Sequence, residues 1–122
     1  MIQAQLLDDD GVLIVEPKAA LTARDFAGLA AVADPYIEAH GQLNGLLIHA
    51  DDFPGWEDFA GLASHVRFVR DHHRQVAKIA AVSDSRFLKV APKLASHFVQ
   101  AEIKHFPADD YDAALAWLRE AG

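Results

Sequence analysis

Leu43-Asn44-Gly45-Leu46-Leu47-Ile48-His49-Ala50 is nearly continuous in apolar residues, the signature of a strand covered on both faces and central to its sheet. Around it, the 122-residue chain alternates strand and helix patterns. Upstream, two short apolar runs at 2–7 and 12–16 flank Asp8-Asp9-Asp10-Gly11, a turn signal that predicts two antiparallel strands. Thr22 followed three positions later by Asp25 is a capping-box variant, and Phe26, Leu29, Ala30, Ala33 and Ile37 then recur at helical spacing as far as His40-Gly41. Pro35 falls within that helix and predicts a kink or restart.

Downstream, Asp51-Asp52-Phe53-Pro54-Gly55 is a loop of turn residues. Phe59, Leu62, Ala63, Val66 and Val69 form the stripe of a second helix running to about His73. A second buried strand at 77–82 leads through Ser83-Asp84-Ser85 into a third helix at 85–97, with Pro92 inside it. Residues 99–106 alternate like a half-exposed edge strand. Asp109 is the expected cap of a last helix whose inward stripe is Tyr111, Ala114, Leu115 and Leu118. The order is ββαβαβαβα: an α/β fold with a mixed five-stranded sheet and four main helices, in one domain over residues 1–122.

Apolar residues make up 52 % of the chain and charged ones 24 %, the balance of a globular protein. A net charge of −7 argues against a general nucleic-acid binder. That charge is divided, since residues 67–104 hold eight basic against three acidic side chains (+5), leaving −12 elsewhere. An anionic partner is therefore expected to land on one end of one surface. The chain has no cysteine, which removes disulfides, thiolate metal sites and cysteine nucleophiles. Without a basic, apolar leader or a ~20-residue apolar run, the expected location is cytoplasmic, at most peripheral at the inner membrane face.

The element order resembles the SpoIIAA-like family, relatives of the STAS (anti-sigma-factor antagonist) domain. The residues that carry the likeness are 20–26 (ALTARDF), the loop 51–56 (DDFPGW) and the ending 111–118 (YDAALAWL). The resemblance implies a STAS-like α/β sandwich, small-molecule or lipid association, and no enzymatic activity. STAS antagonists carry a phosphorylatable serine at the start of the helix after the central strand. The corresponding stretch here, 51–56, has no serine or threonine, so a phosphorylation switch of that kind is not expected.

The loop after the central strand stands where open α/β sheets place ligand crevices. Phe53, Trp56 and Phe59 are expected to line an apolar pocket there, with His49, Asp51 and Asp52 orienting a polar group. The plainer reading is that the aromatic side chains staple the loop to the second helix and the acids complement its dipole. His49 with Asp51 and Asp52 lacks the further ligands a metal site needs, so neither metal nor cofactor is expected. His65 and His72 share a helix face too far apart to bind one ion. Ser64-His65 and Ser96-His97 point apart on their helices and make no nucleophile pair. On the third helix Arg86, Lys89 and Lys93 form a basic face beside Phe87, Leu88, Val90 and Leu94, joined by Arg67, Arg70 and Arg74 of the second. These residues would suit an anionic membrane surface; the plainer reading is a solvated helix face.

The sequence thus points to a non-enzymatic binding module whose partner is a small apolar or amphiphilic molecule or an anionic membrane surface. The alternative is a protein-interaction module docking another protein or a second copy through 51–56, and the third reading is a small enzyme using His49 and Asp51.

Overall fold

A computed structural model of the chain describes residues 1–50, 55–83 and 101–120. Five strands, β1 (Ile2–Leu7), β2 (Val12–Pro17), β3 (Leu43–His49), β4 (Val76–Val82) and β5 (Glu102–Phe106), form one sheet in the order β1-β2-β3-β4-β5. β1 and β2 are antiparallel and every other pairing is parallel, so the sheet is mixed as expected. Helices α1 (Ala23–His40), α2 (Phe59–His72) and α3 (Tyr111–Arg119) are the α-helices among the described residues. The helix expected over 85–97 lies outside them, as do Asp51, Asp52 and Phe53, the basic residues Arg86, Lys89 and Lys93, and their apolar neighbours Phe87 and Leu88.

Two apolar clusters lie on opposite faces of the sheet. Leu13, Val15, Phe26, Leu29, Ala33 and Ile37 belong to one, beneath α1, with Phe68 of α2 packed against it. Val12, Ile14, Leu47, Ala80, Val82 and Phe106 pack with Ala114 and Leu118 of α3 in the other. β3 is less evenly covered than its apolar run predicts: Leu43, Gly45 and Leu47 are buried, whereas the intervening Leu46 and Ile48 are only partly buried and Asn44 is exposed. Gly45 lets α3 come close: a Cβ there would stand 2.8 Å from Leu118 Cδ2.

The capping box at Thr22 forms in both directions. Pro35 does not break α1, which runs unbroken to His40. Proline cannot donate to the carbonyl four residues back, Ala31, but both residues are exposed, so water can take the unpaired oxygen. At the chain's end Asp109 is not the cap. It lies in a 3-10 turn, Ala108–Asp110, and α3 starts from Asp110 without a side-chain cap bond.

α2 departs most from expectation. Its apolar stripe is largely on the outside, with Phe59 80 %, Val66 62 % and Val69 36 % exposed and Leu62 and Ala63 half-buried. The helix turns Gly61, His65, Phe68 and His72 toward α1 instead. A Cβ on Gly61 would meet Leu21 O at 2.4 Å, so only glycine admits this approach of the first turn. The Phe26 ring lies 4.9 Å from His65 and 6.0 Å from Phe68, while His72 bridges Phe68 O at 2.8 Å and Asp34 Oδ1 at 2.7 Å.

Candidate functional site

The carboxyl ends of the parallel strands hold a polar group built from three elements. Glu16 stands at the end of β2, His49 at the end of β3 and Tyr111 at the start of α3. Glu16 Oε2 accepts from Lys18 Nζ at 2.9 Å and lies 3.9 Å from His49 Nδ1. The His49 ring meets Tyr111 edge-on at 5.2 Å. The Lys18 hydrogen bond holds the Glu16 carboxyl below its usual range, with partial burial opposing it. Partial burial, reinforced by Glu16 and Asp112, raises the Tyr111 phenol. Glu16 did not stand out in the sequence, because it reads as the last residue of an ordinary strand, and Tyr111 reads there only as part of the inward stripe of the last helix. Strand parity offered one signal: Gly45, Leu47 and His49 share a face, and that face is α3's.

Trp56 lies on the opposite face. Its backbone bridges Leu21, with Leu21 N donating to Gly55 O at 2.8 Å and Glu57 N to Leu21 O at 2.9 Å. Gly55 takes φ 80°, a value glycine accepts freely. The indole Nε1–H donates to His65 Nδ1 at 3.1 Å, which places Trp56, His65 and Phe26 in one aromatic row. The structure therefore does not bring His49 together with Trp56, and Phe59 points to solvent rather than to either. Asp58 caps α2 through a bond from Gly61 N at 2.9 Å.

The basic segment is divided as well. Arg67, Arg70 and Arg74 are exposed on or beside α2. Lys78, only 9 % exposed, is buried against α3, donating to Trp117 O at 3.0 Å and Glu120 O at 3.3 Å and lying 5.1 Å from the Trp117 ring. It complements the negative end of that helix. Lys104 stands 5.1 Å from the Phe106 ring and 5.8 Å from the Trp117 ring. The expected single positive surface thus loses Lys78 and Lys104 to the far side of the sheet. α2 remains as an amphipathic element with Phe59, Val66 and Val69 outward and the three arginines alongside.

Two cavities accompany these features. A shallow groove of about 200 Å³ between α1 and α2 is lined by Phe26, Ala27, Ala30, Arg67 and Phe68. A second, of about 440 Å³, is lined by Asn44, Lys78, Arg119 and Glu120 together with Ala77 and Leu118. Among the described residues no helix is long and apolar enough to cross a membrane.

Burial lowers the His65 pKa below its ordinary 6.5. Protonating Nδ1 would also remove the acceptor for Trp56. Below pH 6.5 the unfolded ring therefore binds more protons than the folded one, so stability falls as pH drops from 7 toward 5. The groups facing His65 from α1 and the Trp56 segment are a phenyl and an indole, and the same interface holds the ionisable pair His72 and Asp34. Thermal melts at pH 7 and pH 5 are expected to show a larger drop in the native chain than in His65→Phe, which retains the ring stack. Equal drops would rule out His65 as a contributor.

The SpoIIAA-like family model matches residues 12–119. No curated protein matches the sequence. The crystal structure of an uncharacterized protein with a SpoIIAA-like fold from Shewanella loihica PV-4 is similar at TM-score 0.71 and 21 % identity, over 97 % of this chain and 92 % of that one. That likeness establishes the architecture and leaves its chemistry open. With the family model spanning nearly the whole α/β unit from β2 to the end of α3, the chain belongs to the SpoIIAA-like family.

Proposed function

We propose that the protein is a non-enzymatic module that attaches reversibly to an anionic membrane surface through α2. The observation that carries this reading is the outward face of that helix. Phe59 and Val66 are largely exposed, Val69 and Trp56 partly so, and Arg67, Arg70 and Arg74 are exposed beside them, Arg70 in a surface ion pair with Asp71 at 3.0 Å that lipid phosphates would replace. A helix with an apolar strip and basic flanks lies in the interface plane, its apolar residues among the acyl chains. A small apolar ligand is the weaker reading. The groove between α1 and α2, about 200 Å³, is below the ~300–1,000 Å³ of ligand pockets; the cavity of about 440 Å³ reaches that range, but it has a mixed lining, with Lys78, Arg119 and Glu120 beside Ala77 and Leu118, and lies apart from the exposed face of α2. Arg86, Lys89 and Lys93, with Phe87 and Leu88, lie outside the described residues, and the proposal rests on α2 without them.

Vesicle co-sedimentation tests it. Pelleting is expected with anionic vesicles at low salt, to weaken as salt screens the arginines, and to be absent with neutral vesicles. Each arginine near an anionic surface contributes about 1 kcal/mol, so replacing all three with glutamine should weaken binding roughly 100-fold. Pelleting that ignores both vesicle charge and salt, or no pelleting at all, would overturn the proposal; in the second case the face is better read as a protein-docking surface.

A further inference from the structure

β1 is an edge strand without the usual guards. Across Ile2–Leu7 there is no charged residue, no proline and no break in the register with β2. The opposite edge, β5, carries Glu102, Lys104 and His105 within five residues. Unpaired strand edges template pairing with other chains, and charges or prolines are the ordinary protection. Only one of the two edges has that protection.

The register shows which backbone groups are free. Lys18 N donates to Met1 O at 2.7 Å, which makes Met1 and Lys18 a hydrogen-bonded pair of the register, so by alternation the odd-numbered residues of β1 bond toward β2. Alternation then turns the N–H and C=O of Ile2, Ala4 and Leu6 outward. Ile2 faces Pro17, whose missing N–H fits a position that makes no ladder bond with β2.

We propose that this edge pairs antiparallel with β1 of a second copy around Ala4, joining two five-stranded sheets into one of ten strands. The sequence Met1-Ile2-Gln3-Ala4-Gln5-Leu6-Leu7 is a palindrome in polarity about Ala4. Isologous contacts require such self-complementarity, because each residue meets the symmetry mate of its counterpart. Ile2 then faces the partner's Leu6, and Gln3 faces the partner's Gln5. Ala4 meets its own mate at the axis, where a small side chain permits close approach. Parity agrees, since the outward groups of residues 2, 4 and 6 meet outward groups of the mate and make six backbone hydrogen bonds. The Ile2 and Leu6 contacts extend the apolar layer beneath α1, against which both side chains already pack. On the other face the exposed Gln3 and Gln5 are neighbours close enough to bond amide to amide. A six-residue strand pair covers less than the ~800 Å² per partner of a standard interface, so monomer and dimer exchange with concentration.

Sedimentation velocity is expected to show a concentration-dependent species at twice the 13.3 kDa chain mass. Amides of Ile2, Ala4 and Leu6 should exchange about tenfold more slowly in concentrated than in dilute protein. Ala4→Pro removes a central outward donor without touching the β1–β2 bonds, and should leave a folded monomer. Gln3→Lys with Gln5→Lys sets like charges across the axis and should also give a monomer, whereas Gln3→Lys with Gln5→Glu pairs opposite charges and should restore the dimer. A monomer at all concentrations, or a dimer indifferent to Ala4→Pro and to the charge swap, would overturn the proposal.

Discussion

Phe59→Asp with Val66→Asp is expected to abolish vesicle pelleting while the melting temperature hardly moves. Full burial of a Phe or Val side chain stabilises by about 1.5–3 kcal/mol. Since Phe59 is 80 % and Val66 62 % exposed in the chain, most of that gain is still available to an acyl interior. Losing both contributions, about 2–4 kcal/mol together, weakens attachment roughly 30- to 1,000-fold, before the cost of bringing two carboxylates to an anionic surface is added. The same exposure limits the effect on folding, because substitutions away from core contacts usually stay within about 0.5 kcal/mol. Vesicle titration beside a thermal melt checks both halves. A melt lowered by many degrees would show that the two side chains are covered by the protein itself in solution, and unchanged pelleting would remove α2 from the membrane contact.

That pairing of effects separates two explanations for an apolar stripe that sequence alone merges. Phe59, Leu62, Val66 and Val69 have helical spacing whether they face a core or a partner. What turns the stripe outward is the other side of α2. Gly61 permits contact at Leu21 O, and His65, Phe68 and His72 form the packed face through ring contacts and the His72–Asp34 hydrogen bond. Two histidines and a glycine count for little in hydropathy, so the packed face was the less visible of the two. The strands and the Thr22 cap were legible because alternation, apolar runs and a capping box act over a few residues. The separation of His49 from Trp56 is a longer-range consequence. His49 follows Leu47 in pleat parity onto the face of α3, while Leu21 holds Trp56 on the face of α1 and α2. A seven-residue interval in sequence therefore spans the thickness of the sheet.

The layer between β3 and α3 yields the other large effect. Leu118, 1 % exposed, sits directly over Gly45, and the two positions are expected to be coupled rather than additive. Leu118→Ala leaves a cavity and should cost about 2–5 kcal/mol. Gly45→Ala alone adds a Cβ at 2.8–3.1 Å from three Leu118 side-chain atoms, and forcing α3 outward should cost about 1–3 kcal/mol, although alanine by itself suits a strand better than glycine. In the double variant the new methyl enters the space that the leucine has left. Its cost should fall below the sum of the single costs by about 1 kcal/mol or more, the coupling expected of residues in contact. Chemical denaturation of the four chains measures the cycle. Strict additivity would mean that α3 shifts enough to accept a methyl at Gly45 unaided, and the close seating of α3 on β3, which also brings Tyr111 against His49 and the Lys78 ammonium under the helix's last carbonyls, would then not depend on a glycine at this position.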